Sequence, residues 1–208
     1  MKLSLIATTI FTLTLGFYTL KVITETTKTP KTFTEWCEQK ANLPQETRHT
    51  VEALLKVAET QNCSQANQTL TNFTKLELPL NKISDTAPLS ALTNLKALSL
   101  AENKISDTAP LSALTNLNAL YLSENQISNI KPLSNLTNLN ALYLSENQIS
   151  NIKPLSNLTN LTILDLSENQ ISDIKPLSNL TKLTEVDLAK NPLISKQCPL
   201  KPGSICKF

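Results

Sequence analysis

LTNLNALYLSENQISNIKPLSN, residues 114–135, is followed without a break by the same 22 letters at residues 136–157. Outward from this identical pair the wording loosens but the step persists. An asparagine returns at Asn81, Asn103, Asn125, Asn147, Asn169 and Asn191, and around it runs the frame L-x-x-L-x-L-x-x-N-x-I. Leu117, Leu120, Leu122, Asn125 and Ile127 show the frame in one unit; Leu95, Leu98, Leu100, Asn103 and Ile105 show it in the unit before. So short a unit cannot bury its apolar side chains alone, and stacking on its neighbours makes the core. Six such coils are expected over residues 70–191.

A period of roughly 20–29 residues with this frame is the signature of a leucine-rich repeat. In residues 92–113, LTNLKALSLAENKISDTAPLSA, Leu98 and Leu100 alternate with Ala97, Ser99 and Ala101, which predicts a short strand with one buried face. One strand per unit should pair in parallel with the next. Asn103 then turns the chain, its side chain serving backbone groups that a buried corner would otherwise orphan at about 1–3 kcal/mol each. Pro88, Pro110, Pro132, Pro154 and Pro176 stand in register and pre-set a tight 3-10 turn on the outer side. The expected fold is an α/β solenoid: a right-handed leucine-rich-repeat superhelix, its parallel sheet concave and its 3-10 turns convex.

The chain's 19 basic and 17 acidic residues leave a net charge of +2, with no basic stripe, so nucleic acid is not an expected partner. Two glycines in 208 residues leave no phosphate-cradling loop. Lys2 precedes an uncharged run, LSLIATTIFTLTLGFYTL, that Lys21 ends. Residues 1–20 therefore read as an export signal or a retained membrane tether, and residues 21–33 as a Thr/Lys-rich linker. Either way the repeats are expected outside the cytoplasm: secreted, periplasmic, or anchored facing outward.

Residues 34–69 read as a helical N-terminal cap. Thr34 is a candidate cap for a first short helix, Pro44 a first-turn residue for a second, and Ser64 a cap for a third. Val51, Leu54, Leu55 and Ala58 mark the buried stripe of the longest. Residues 192–208 form a compact C-terminal cap. The cysteines, Cys37, Cys63, Cys198 and Cys206, all flank the repeats, as disulfides of an oxidising compartment would. Six strands at about 4.8 Å separate the ends by roughly 25–29 Å, far beyond the ~7 Å a disulfide spans. Pairing is thus expected within each cap, Cys37 with Cys63 and Cys198 with Cys206. The same separation, with His49 the lone histidine, argues against zinc, and no cofactor is implied.

ISDIKPLSNLTKL (residues 171–183) and LTNLTILDLSENQ (residues 158–170) resemble the repeat of bacterial internalin-type leucine-rich-repeat proteins. WCEQKANLPQETRHTVEALLKVAETQNC with CPLKPGSICKF is similar to the caps of small secreted cyanobacterial proteins of this kind. The resemblance implies a binding scaffold. Neither a wall-sorting motif nor an immunoglobulin-like domain follows the repeats in this sequence, so wall anchoring and host invasion are not carried over.

On such a scaffold, binding would sit on the solvent-facing columns of the inner sheet. One column reads Glu77, Ser99, Tyr121, Tyr143, Asp165, Asp187; beside it runs Lys75, Ala97, Ala119, Ala141, Ile163, Glu185. Tyrosine offers large contact area at low entropic cost. The candidate patch is Tyr121, Tyr143, Ile163, Asp165 and Asp187, with Ser99 and Glu77 at its margin; the bland alternative is two tyrosines packing only on each other. A column of Glu102, Glu124, Glu146 and Glu168 reads as a solvated edge, too sparse for the 6–8 oxygens calcium takes. The expected function is recognition of a protein or glycan by a monomer; a passive envelope spacer is the alternative. A glycan-cleaving enzyme would need paired carboxylates such as Asp165 and Asp187 in a water-excluding cleft, which an open sheet lacks. No Ser/His/Asp or Cys/His grouping is apparent, and an enzyme is not expected.

Overall fold

The computed structural model describes residues 29–208. The readings of residues 1–20 as export signal or tether, and of most of the linker, lie outside the described residues.

Three helices come first: α1 (Phe33–Glu38), α2 (Gln45–Val57) and α3 (Cys63–Thr71). The cap of α1 is Thr32, not Thr34. Thr32 accepts the Glu35 backbone N–H while the Glu35 carboxylate reaches back to the N-cap, a reciprocal box that satisfies two end donors. Phe33, placed at the end of the linker by its neighbours' composition, is fully buried. Asn62 rather than Ser64 caps α3, accepting from the Gln65 N–H at 3.0 Å. Cys37 in α1 is disulfide-bonded to Cys63 at the start of α3, with alpha carbons 5.5 Å apart. Helix α2 then seats on the first coil, where Thr50 Oγ1 donates to the Asp85 carbonyl at 2.6 Å and Thr47 Oγ1 to the Asp85 carboxylate.

The strands are β1 (Lys75–Glu77), β2 (Ala97–Ser99), β3 (Ala119–Tyr121), β4 (Ala141–Tyr143), β5 (Ile163–Asp165), β6 (Glu185–Asp187) and β7 (Cys206–Lys207). They pair in parallel in chain order, one sheet with each coil beside the next. Six strands follow from the repeat; the seventh comes from the last segment, where Cys206 pairs with Val186 in the leucine column. Its disulfide to Cys198 closes that final coil over the end of the stack, alpha carbons 5.8 Å apart. On the opposite side of each coil lies a 3-10 turn: Ala87–Ala91, Ala109–Ala113, Lys131–Asn135, Lys153–Asn157 and Lys175–Asn179, each with its proline at the start. Between sheet and turns runs one continuous core. In the third coil Leu117, Leu120, Leu122, Ile127, Leu133 and Leu136 have no solvent exposure. Thr86 and Thr108 occupy the column held later by Ile130, Ile152 and Ile174; their hydroxyls donate to the Asp107 and Asn129 carbonyls of the next coil, which makes their burial tolerable.

The asparagines join coil to coil. Asn103 Oδ1 accepts the Ile83 N–H at 2.8 Å, and its Nδ2 donates to the carbonyls of Leu78 (2.9 Å), Leu100 (2.9 Å) and Ala101 (3.0 Å). The same arrangement recurs at Asn125, Asn147, Asn169 and Asn191. Asn81 departs from it. No coil lies beneath, so its side chain donates only to the Pro79 carbonyl, at 2.7 Å, and α2 covers the corner through His49 Nε2, which lies 2.6 Å from the Asn81 carbonyl oxygen. A second column was not anticipated: Asn94, Asn116, Asn138 and Asn160 each donate to a threonine carbonyl of the preceding coil.

Candidate functional site

Strand register decides which side chains become neighbours on the solvent side of the sheet. Glu77 stands beside Ser99, Ser99 beside Tyr121, Tyr121 beside Tyr143, Tyr143 beside Asp165 and Asp165 beside Asp187. One residue-pair back, Ala97, Ala119 and Ala141 give a low floor that rises at half-buried Ile163. The tyrosine rings stack, with centroids 4.8 Å apart and planes 8° from parallel. Identical coils cause this: equal backbones place equal rotamers one strand spacing apart. Tyr121 is exposed and Tyr143 half-buried. Loss of water around Tyr143, then the nearby Tyr121, Glu185 and Asp165, pushes its phenol above the ordinary tyrosine value.

The candidate carboxylates are partly engaged. Asp165 Oδ1 accepts from the Ser167 backbone N–H (3.0 Å) and hydroxyl (2.8 Å), and Asp187 Oδ1 from the Ala189 N–H (3.0 Å). Both thus brace the turn after their strand as well as facing solvent. Glu77 is held by Lys75 at 2.7 Å, at the first strand. Lys190 and Lys207 reach Glu168 and Glu185 at the far end. In each lysine the hydrogen bond it donates to its partner glutamate, then that glutamate's charge, raises the ammonium above its ordinary value. These three paired cations sit at the two ends of the sheet, and among the described residues Glu102, Glu124 and Glu146 between them form no salt bridge.

Glu102, Glu124, Glu146 and Glu168 share a second property that the frame does not announce. Each has a left-handed backbone, with φ between 53° and 56°, as do Leu80 (59°) and Lys190 (57°) in the same column. The tight corner before the ladder asparagine demands it, at a steric cost glycine would avoid. Glu124 is held above the ordinary carboxylate value by reduced hydration and then by the like charges of Glu102 and Glu146. Leu80 was missed as a surface feature: it is 69% exposed where later coils carry glutamate. The signal was the replacement of S-E-N by P-L-N at residues 79–81. Among the described residues no three His, Cys, Asp or Glu side chains are grouped to hold a metal ion.

Comparison with known proteins agrees with this geometry. The family described as Leucine Rich repeats (2 copies) matches residues 115–157 and 159–202, and Leucine Rich repeat matches residues 91–109. An internalin (inlF) from Listeria monocytogenes is 30% identical with a TM-score of 0.57, over 73% of this chain and 52% of that one. The chain thus spans about half of that relative's length. Internalin C2 from the same species is 31% identical with a TM-score of 0.57, over 77% of this chain and 91% of its own. A leucine-rich-repeat protein of Leptospira interrogans is 29% identical with a TM-score of 0.62, over 69% of this chain and 39% of its own. No match was found among curated proteins. Leucine-rich-repeat proteins are generally modules of protein interaction. With its 22-residue frame, parallel sheet, 3-10 turns and these neighbours, the chain belongs to the internalin-type leucine-rich-repeat family.

Proposed function

We propose that this chain is an extracytoplasmic recognition module that grips a protein partner on the concave face of its sheet. The contact surface is centred on Tyr121 and Tyr143, continues over Ile163 to Asp165 and Asp187, and has Ser99 and Glu77 at its other margin. The observation that carries this reading is the solvent-facing tyrosine stack, standing over alanines in the middle of an open sheet. Aromatic area held rigid before binding loses little entropy on binding, which is why such residues dominate interface energetics. Two disulfides, one in each terminal unit, favour an oxidising compartment outside the cytoplasm. An open sheet offers a broad surface and no water-excluding cleft, which favours recognition over catalysis.

The test is capture of partners from a native envelope extract on the immobilised chain, compared with Tyr121→Ala/Tyr143→Ala. The double variant should lose the enriched partner while its thermal unfolding stays near that of the parent. Undiminished capture of the same partner rejects the surface.

A further inference from the structure

We propose that the partner presents an arginine to this face, its guanidinium stacked on Tyr121 in the space above Ser99. The inference rests on the concave-face reading and names the chemistry of what is gripped. Tyr143 covers one face of the Tyr121 ring at 4.8 Å. On the other side the register places Ser99, a small side chain that leaves the next position of the stack unfilled, and Tyr121 is 37% exposed. Parallel strands repeat at about 4.8 Å, so a planar group above Ser99 lies at stacking distance from the ring.

Charge decides between a neutral ring and a planar cation. Lys75, which is close enough to Tyr121 to feel its charge, is neutralised by Glu77, and Lys190 and Lys207 are tied to glutamates at the far end; Lys96 and Lys104 of the second coil form no salt bridge among the described residues. Among the described residues no salt bridge reaches Glu102 or Glu124, which stand in the corner column three residues after Ser99 and Tyr121. The Glu124 carboxyl is raised first by reduced hydration and then by Glu102 and Glu146, and the second cause fits a row short of countercharge. Leu80, exposed and held in a left-handed conformation one coil below Glu102, gives an aliphatic contact of the kind an arginine stem covers. Guanidinium is flat, weakly hydrated and forked toward carboxylates, whereas an ammonium is a compact hydrated charge that does not stack. The site therefore selects arginine over lysine, beyond attracting positive charge.

The experiment titrates the full chain with tetra-arginine and, separately, tetra-lysine in about 0.15 M salt, following the Tyr121 and Tyr143 ring resonances. Tetra-arginine should bind about fivefold more tightly than tetra-lysine, as cation–π stacking at an exposed ring allows. Tyr121→Ala and the bulkier Tyr121→Leu should bring it down to the lysine level, and Glu102→Gln/Glu124→Gln should weaken both peptides. Equal affinity for the two peptides, or indifference to both Tyr121 variants, overturns the proposal. So does a neutral oligosaccharide that moves the tyrosine resonances while tetra-arginine does not. If the double tyrosine variant loses its partner but the arginine peptide shows no preference, the arginine assignment alone fails; retained capture rejects the concave face itself.

Discussion

Replacing Asn125 and Asn81 by alanine, one at a time, makes the same chemical change at the same place in the frame, yet should cost very different amounts. Asn125 is 8% exposed: its Oδ1 takes the Ile105 N–H at 2.9 Å, and the two N–H groups of its Nδ2 are shared among the carbonyls of Leu100, Leu122 and Ser123 at 3.0, 3.1 and 3.2 Å. Alanine strands the Ile105 N–H in a dry corner, about 1–3 kcal/mol, and forfeits two N–H donations to carbonyls worth about 0.5–1.5 kcal/mol each. Relaxation of the carbonyls toward other partners discounts the sum to about 2–4 kcal/mol. Asn81 loses a single bond, to the Pro79 carbonyl at 2.7 Å, in a corner that helix α2 already covers. Its replacement should cost about 0.5–1 kcal/mol. Guanidinium unfolding followed by far-ultraviolet circular dichroism measures both. Losses that agree to within about 1 kcal/mol would refute the idea that the ladder works by fastening one coil to the next.

Further expectations concern the acidic corner column and the caps. Glu146 has φ 53°, so Glu146→Gly should stabilise by about 0.5–1 kcal/mol while Glu146→Gln, which keeps the left-handed cost, should gain less; equal midpoints for the two would remove backbone strain from the account. Because folding raises the Glu124 carboxyl, the folded state holds that proton more firmly, and its ionisation subtracts stability as pH rises through the carboxylate range. The advantage of Glu124→Gln over the parent should accordingly grow between about pH 3 and pH 7 in thermal melts, and a constant difference contradicts the assignment. Removing the first disulfide with Cys37→Ala/Cys63→Ala should cost on the order of 3 kcal/mol by opening a loop of sequence separation 26, read from the denaturation midpoint. An unchanged midpoint would show that helix packing alone holds the cap.

The repeat was legible because one physical constraint, burial of a leucine face by stacking, acts on every coil and prints itself at a fixed period. Leu98, Leu120, Leu142 and Leu164 could be assigned to the core, and Tyr121 set beside Tyr143, from spacing alone. Single-copy features were harder. Thr32, Thr34, Asn62 and Ser64 are all acceptable helix caps, and only the reach of Glu35 back to Thr32 and the docking of Phe33 choose among them. β7 escaped notice because its approach, from Val186 to Cys206, is shorter than the repeat and lacks the frame. Asn116 and Asn138 kept the period, yet their bonds run to Thr93 and Thr115 backbones, and nothing in letter order tells a bridging asparagine from a solvated one. The left-handed corner at Glu124 was hidden for a related reason: glycine would have announced it, and this chain uses glutamate.

The two identical coils have a consequence for size. Between coils, each ladder asparagine side chain reaches only to the coil before it, and Asn125 and Asn147 make matching bonds on either side of the duplicated join. Inserting one more copy, or excising one, would present every junction with the partner it already has. Length is therefore an adjustable quantity in this architecture, and each added copy would set another phenol ring onto the pile beside Tyr121 and Tyr143. Contact area could grow in whole-coil steps, with no rearrangement of either end.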